Sequence, residues 1–295
     1  MNQGFYLALA AGFLWSVTNI IDKAVVNRFI KSPALLTLIF SVVLLIAGLV
    51  MLPPSSEWMT GTDFWWMVVS GFLYMIATLW YFFALQKEEA SRVVPLFALT
   101  IVFLTLQSAI FLGEVFTLTT YIGIGLVIVA SFILMSRRNI LDAFQSKVFA
   151  YMIASTFAYA LSYVINKDLL ATYTDKQVFS FHNILIGFVG MIFLLFFIRK
   201  MRLQYSEIKK RYISVSVMGE IISALGAFLF IAASAVWFVT LVETVVSVQY
   251  VFLFIFTIII SRFAPNLFKE EINRNIIIQK SIAIVLMIIG IYLIS

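Results

Sequence analysis

Long apolar runs alternate with short polar punctuation along the whole chain. A helix that crosses a bilayer needs about 20 apolar residues, because hydrocarbon leaves no partner for an unpaired backbone group. Ten blocks of that kind are predicted, over 4–22, 33–52, 63–86, 92–112, 118–136, 148–166, 177–198, 212–235, 240–262 and 276–295. Between them lie Pro53-Pro54-Ser55-Ser56, Lys87-Glu88-Glu89, Gly113-Glu114, Ser136-Arg137-Arg138-Asn139, the basic run from Arg199 to Arg211, and Pro265-Asn266 before Lys269-Glu270-Glu271. The joint between the eighth and ninth blocks is the least marked. There Trp237-Phe238-Val239-Thr240 must turn without Gly, Pro or charge.

Composition agrees with lipid as the solvent: 63% of the 295 residues are hydrophobic and 12% are charged. Thirty Phe, twelve Tyr and six Trp suit helix interfaces and headgroup anchoring. The net charge of +6 is spread over short loops, as expected beside anionic lipid rather than nucleic acid. With no Cys and one His, the chain lacks the residues for disulfides, thiolate chemistry and nearly every zinc site. No cofactor or metal is expected. The run from Gly4 to Ile21 has no convincing cleavage site and reads as a retained first helix.

The halves repeat. At an offset of 144, Ala10, Trp15, Asn19, Asp22 and Lys23 fall on Ala154, Tyr159, Tyr163, Asn166 and Lys167. At an offset of 148, Gly71, Ala84 and Val94 fall on Gly219, Ala232 and Val242. Order and spacing persist over five helix pairs, so duplication is the simplest account. An odd number of helices per half inverts the second half, an arrangement that builds a midplane site between repeats. The expected fold is all-α: ten transmembrane helices as two inverted five-helix repeats, residues 1–138 and 139–295.

Several segments resemble the EamA-domain family of the drug/metabolite transporter superfamily. They are Leu14-Trp15-Ser16 through Lys23, Tyr81-Phe82-Phe83-Ala84-Leu85, Ala90-Ser91-Arg92-Val93-Val94-Pro95 and Phe111-Leu112-Gly113-Glu114. In the second half Leu241-Val242-Glu243-Thr244, Val248-Gln249-Tyr250-Val251-Phe252 and Lys269-Glu270-Glu271 look similar. The resemblance implies the same five-plus-five plan and the export or exchange of amino acids, other metabolites or drugs, without naming a ligand. Members often carry Pro where this chain has Ile101 and Tyr250, which places helix kinking there in question.

Charge and resemblance disagree on orientation. Every Lys and Arg except Lys167 and Lys176 falls on the side opposite the termini, so the positive-inside rule puts the termini outside. The resemblance implies cytoplasmic termini. The expected location is a prokaryotic plasma (inner) membrane.

Polar residues within apolar blocks nominate a site, since ionisable groups in lipid are costly. Gly12, Trp15, Asn19 and Lys23 share one face of the first helix, and Thr156, Tyr159, Tyr163 and Asn166 repeat it on the sixth. Tyr74, Thr78 and Tyr81 line up on the third, while Glu243, Ser247 and Tyr250 form a stripe on the ninth beside Gln249. Trp15, Asn19, Tyr74, Tyr81, Tyr159, Asn166, Gln249 and Tyr250 are the candidate substrate-binding residues. Glu220, Glu243 and Arg92 are candidates for coupling or gating, with Glu220 leading because small Ser223, Ala224 and Ala227 continue its face. For Glu243 the alternative is complementing a helix dipole, and for Arg92 a salt bridge at the cavity mouth. His182 reads as a packing hydrogen bond, and Glu114 and Glu270 as caps of the fifth and tenth helices. The polar-aromatic faces suggest a neutral or zwitterionic ligand.

The expected function is secondary-active transport of a small metabolite, amino-acid-like or otherwise small and polar or amphipathic, by alternating access. Proton coupling or exchange would drive it, because no G-x-x-x-x-G-K-[ST] loop is present. The competing readings are a flippase for a lipid-linked head group, a membrane enzyme, disfavoured without a nucleophile–base pair or metal cluster, and a scaffold. Expected partners are the substrate and the lipid bilayer, not nucleic acid, with the chain a monomer or homodimer.

Overall fold

The computed structural model describes residues 3–28, 33–87, 93–135, 147–195, 210–263 and 274–294. These form eleven α-helices: α1 (Gln3–Arg28), α2 (Pro33–Val50), α3 (Gly61–Lys87), α4 (Ala98–Phe111), α5 (Leu118–Met135), α6 (Lys147–Leu169), α7 (Asp175–Leu195), α8 (Lys210–Val236), α9 (Val239–Val246), α10 (Gln249–Phe263) and α11 (Arg274–Ile294). Short 3₁₀ turns occupy Ser55–Glu57 and Val94–Phe97. No strand occurs among the described residues, as expected where every backbone group must be paired within its own segment.

Local chemistry sets the ends. Pro33 opens α2, where a missing N–H costs nothing. Gly113, at φ +66°, ends α4 in the left-handed conformation, and the Glu114 N–H turns back to the Ser108 carbonyl. Thr174 and Gln177 form a reciprocal capping box on α7: the Gln177 N–H donates to Thr174 Oγ1, and the Thr174 N–H to Gln177 Oε1.

Among the described residues six helical segments are long and apolar enough to cross a membrane: Gln3–Asp22, Gly61–Lys87, Val148–Leu169, Asp175–Phe193, Tyr212–Val236 and Val239–Ile260. Four further apolar segments, Leu35–Val50, Ala98–Phe111, Leu118–Ile133 and Ile278–Ile294, are shorter. Six segments, against the ten expected, therefore reach membrane length. The fourth block differs because its first turn is 3₁₀ and its α-helix begins only at Ala98. The ninth, Val239–Ile260, is among the six although an interruption at Ser247-Val248 divides it into α9 and α10. The turn at Trp237-Phe238 does separate the eighth and ninth blocks.

The packing inverts that of a soluble protein. Large apolar side chains such as Ile110, Trp65, Val50 and Tyr292 are exposed, while Ser16, Asn19, Thr78, Gln107, Glu220, Glu243 and Gln249 are buried. An apolar exterior around a polar interior is what lipid selects. The main helix pairs are α1 with α8, α3 with α6, α2 with α7 and α5 with α11, and α4 also packs on α6. Small residues bring these pairs together. Gly123 of α5 and Gly290 of α11 face each other: a Cβ on Gly123 would lie 2.8 Å from the Gly290 carbonyl oxygen, and one on Gly290 2.7 Å from that of Gly123.

Candidate functional site

Four helices present period-matched faces to one interior space. On α1, Trp15, Thr18, Asn19 and Asp22 follow the three- and four-residue spacing of a single face. On α3, Tyr74, Thr78 and Tyr81 do the same, opposite Tyr159 and Tyr163 of α6 and Glu220 and Ser223 of α8. Glu243 of α9 and Gln249 of α10 close one wall, with Phe40, Phe82, Phe97 and Thr100 behind. The cavity they enclose holds about 100 Å³.

The wall is tied across helices. The Asn19 amide donates to Gln249 Oε1 at 2.9 Å, joining α1 to α10. The Trp15 indole N–H donates to the Ser223 carbonyl at 3.1 Å, and its ring lies against Gly226, where a side chain would collide with Nε1. Thr78 and Tyr159 share a hydroxyl hydrogen bond of 2.8 Å between α3 and α6. Aromatic edges and faces form the rest: Tyr74–Tyr159 centroids are 4.7 Å apart, Tyr81–Phe97 4.9 Å and Tyr163–Phe230 4.6 Å.

Three polar atoms in this wall have no hydrogen-bond partner among the described residues: Glu243 Oε2, the Tyr81 hydroxyl and Thr100 Oγ1. Glu243 sits beside the helix interruption. There the Val248 N–H reaches back only to Val245 and the Tyr250 N–H to Ser247, a tighter winding than the α-helix. The Ser247 hydroxyl donates to the Thr244 carbonyl, replacing a lost backbone partner. The break thus forms without Pro at Tyr250, and Gly12 of α1 allows it close approach to the Val246 carbonyl.

Of the residues nominated from sequence, Trp15, Asn19, Tyr74, Tyr81, Tyr159, Gln249, Glu220 and Glu243 share the one cavity. Asn166 lines a neighbouring space of about 20 Å³ with His182. In that layer Ser70 donates to Asn166 Oδ1 at 2.8 Å, Ser70 and Ser162 hydroxyls lie 2.8 Å apart, and Ser162 pairs with His182 Nε2. Tyr250 is buried but stands outside the cavity wall. Arg92 and Glu270 lie outside the described residues. The residue most clearly missed is Asp22, one turn beyond Asn19 on the same face; continuing the Trp15–Asn19 stripe would have found it.

Glu114 does not cap α5. Its Oε1 accepts the Val239 N–H at 3.2 Å and its Oε2 the Thr240 hydroxyl at 2.9 Å, so it caps α9 from the far side of a helix pair. Sequence proximity pointed to α5, but the left-handed turn at Gly113 aims the side chain elsewhere. Nearby, Lys167 Nζ donates to the Ser234 and Trp237 carbonyls, satisfying the end of α8. Both groups border a wider opening of about 730 Å³. Replacing Glu114 with Ala strands the Val239 N–H at the start of α9 and leaves the Thr240 hydroxyl with Ser108 alone, so melting in detergent should show a loss of about 1–3 kcal/mol. Glu114→Gln, which keeps an acceptor oxygen, should recover part of it; equal melting of all three proteins would contradict the cap.

Residues 2–136 match the model of the EamA-like transporter family. That family is one of transporters, and six helical segments of membrane-spanning length and apolarity make this chain a multi-pass membrane protein. A solved structure titled "Crystal structure of protein" superposes with a TM-score of 0.72 at 13% identity, covering 100% of this chain and 96% of its own. At that identity the likeness concerns the fold. No curated protein sequence matches the chain.

Proposed function

We propose that the EamA-like chain is a secondary-active transporter of a small metabolite, working by alternating access between two inverted five-helix halves, residues 1–138 and 139–295. The observation that carries this reading is the buried cavity walled by α1 and α3 from one half and α6, α8, α9 and α10 from the other. A site at the seam of two repeats is exposed to either side when they rock. Helix pairing supports the repeat: exchanging each block with the one five later converts the α1–α8 pair into α6–α3 and leaves α2–α7 and α5–α11 unchanged. Side chains follow suit, for Trp15 meets Ser223 on α8 while its counterpart Tyr159 meets Thr78 on α3.

Burial of the polar wall supports a soluble solute over a lipid-linked head group. The charge rule makes the side of the basic loops cytoplasmic in a prokaryotic inner membrane. The test is flux into proteoliposomes from a panel of amino acids, amines, nucleosides and sugars. A saturable flux that falls at least about tenfold in Glu220→Gln and in Gln249→Ala is expected, because each removes a polar group aimed at the solute. Saturable flux equal in both variants and in the parent would remove the cavity from the transport path.

A further inference from the structure

We infer that the cavity's cargo is a small organic cation, an amine or ammonium group on an aromatic or apolar body, held by Asp22, Glu220 and Glu243. This rests on the transporter reading and names the substrate class of the same cavity. The first argument is the sign of charge. Three carboxyl groups from three helices line the wall, and among the described residues no Lys, Arg or His joins them. An anion would be repelled there. Among the described residues a zwitterion would find carboxyl partners for its ammonium but only neutral donors such as the Tyr81 hydroxyl for its carboxylate, leaving that charge without a cation.

The second argument is the set of vacant acceptors. Glu243 is 5% exposed and Tyr81 6% exposed, both line the cavity, and Glu243 Oε2 and the Tyr81 hydroxyl have no hydrogen-bond partner among the described residues. A buried acceptor left empty is costly, and an ammonium carries up to three N–H donors and no acceptor. The donor-only group fits the acceptor-rich wall. A solute presenting only carbonyl or carboxylate oxygens could take the Tyr81 hydroxyl but would leave Glu243 Oε2 without a donor.

The third argument is the aromatic lining. Trp15, Tyr74 and Tyr159 face the same space, and Tyr74 meets Tyr159 edge to face at 4.7 Å, an arrangement that turns ring faces in more than one direction. Ring faces attract cations, and the attraction is strongest where water is excluded. The carboxyls of Asp22 on α1 and Glu220 on α8 also lie close enough to interact electrostatically. They come from opposite halves, so a cation between them would be held by both halves at once. Cargo binding would thereby draw the halves together around it.

The test uses matched compounds sharing a body and differing in charge: tyramine, tyrosine and para-ethylphenol, with tryptamine against tryptophan and agmatine against arginine. Purified full-length protein is assayed for thermal stabilisation, and the same compounds for flux in proteoliposomes. At least one amine should bind at least about tenfold more tightly than its zwitterionic or uncharged partner. Asp22→Asn and Glu220→Gln should each weaken that amine about tenfold or more while the ligand-free melting temperature holds or rises, since each replaces one of two crowded carboxyls with a neutral isostere. The inference is overturned if every amine binds no better than its partner, or if amine affinity is unchanged in Asp22→Asn, Glu220→Gln and Glu243→Gln. Saturable flux of tyrosine or para-ethylphenol in that case leaves the transporter reading standing. Failure of every compound in flux, amines included, overturns the cation inference and counts against transport itself.

Discussion

Gly187→Val should separate α7 from α2 and lower the melting temperature more than any cavity substitution. A Cβ at Gly187 would lie 2.6 Å from the Ser41 carbonyl oxygen, 2.6 Å from Leu45 Cβ and 3.0 Å from Leu45 Cα. Two of these are main-chain atoms of α2, which cannot rotate away. The pair is already held closely, for the Ser180 hydroxyl on α7 donates to the Gly48 carbonyl on α2 at 2.8 Å. Relief requires moving one whole helix, at a cost of about 3 kcal/mol or more. Gly125 is the control: nothing lies within 4 Å of a Cβ there, so Gly125→Val should melt like the parent. Detergent melting curves in which Gly187→Val and Gly125→Val coincide would rule out the α2–α7 contact.

The second large effect concerns the Asn19–Gln249 bond, and it falls on transport more than on folding. Gln249→Leu leaves the buried Asn19 amide without its acceptor, so stability should drop by about 1–2 kcal/mol. The double variant Asn19→Leu with Gln249→Leu removes both polar ends. Its melting temperature should return most of the way, because the cost of a broken buried pair lies chiefly in the orphaned partner. Flux should not return. Both side chains line the cavity, and an apolar wall there cannot orient a polar solute, so uptake should stay at least about tenfold below the parent. Flux recovering together with stability would make the pair a structural fastener only.

Much of the cavity could be anticipated because its residues obey helix periodicity. Trp15 and Asn19, Tyr74, Thr78 and Tyr81, and Tyr159 and Tyr163 recur at three- and four-residue intervals, so each set shares a face before any tertiary contact is known. Asp22 obeys the same rule and was passed over beside the basic Lys23. Glu114 was misassigned for a different reason. Its partners, Val239 and Thr240, are more than a hundred residues away, and no local pattern distinguishes an acid that caps the next helix from one that caps a distant one.

The interruption between α9 and α10 shows the limit of residue-type reasoning. Pro was the expected cause of a kink, and the helix breaks at Ser247-Val248 without it. The break is stabilised by the Ser247 hydroxyl on a freed carbonyl, by Gly12 yielding room on α1, and by Gln249 reaching Asn19. Each is an interaction with a neighbour, invisible in the local string Glu243 to Tyr250.

By itself the sequence determined the solvent, the helical class and the faces of the helices. Those follow from segment hydrophobicity and from a fixed 3.6-residue period, both local properties. Only the tertiary structure decided which faces meet, that Asp22, Glu220 and Glu243 share one space, that Tyr250 stands outside it, and that Glu114 reaches α9. In lipid nearly every helix surface is equally apolar, so hydrophobicity cannot choose partners. Close glycine contacts and single interhelical hydrogen bonds choose them, and these depend on residues far apart in the chain.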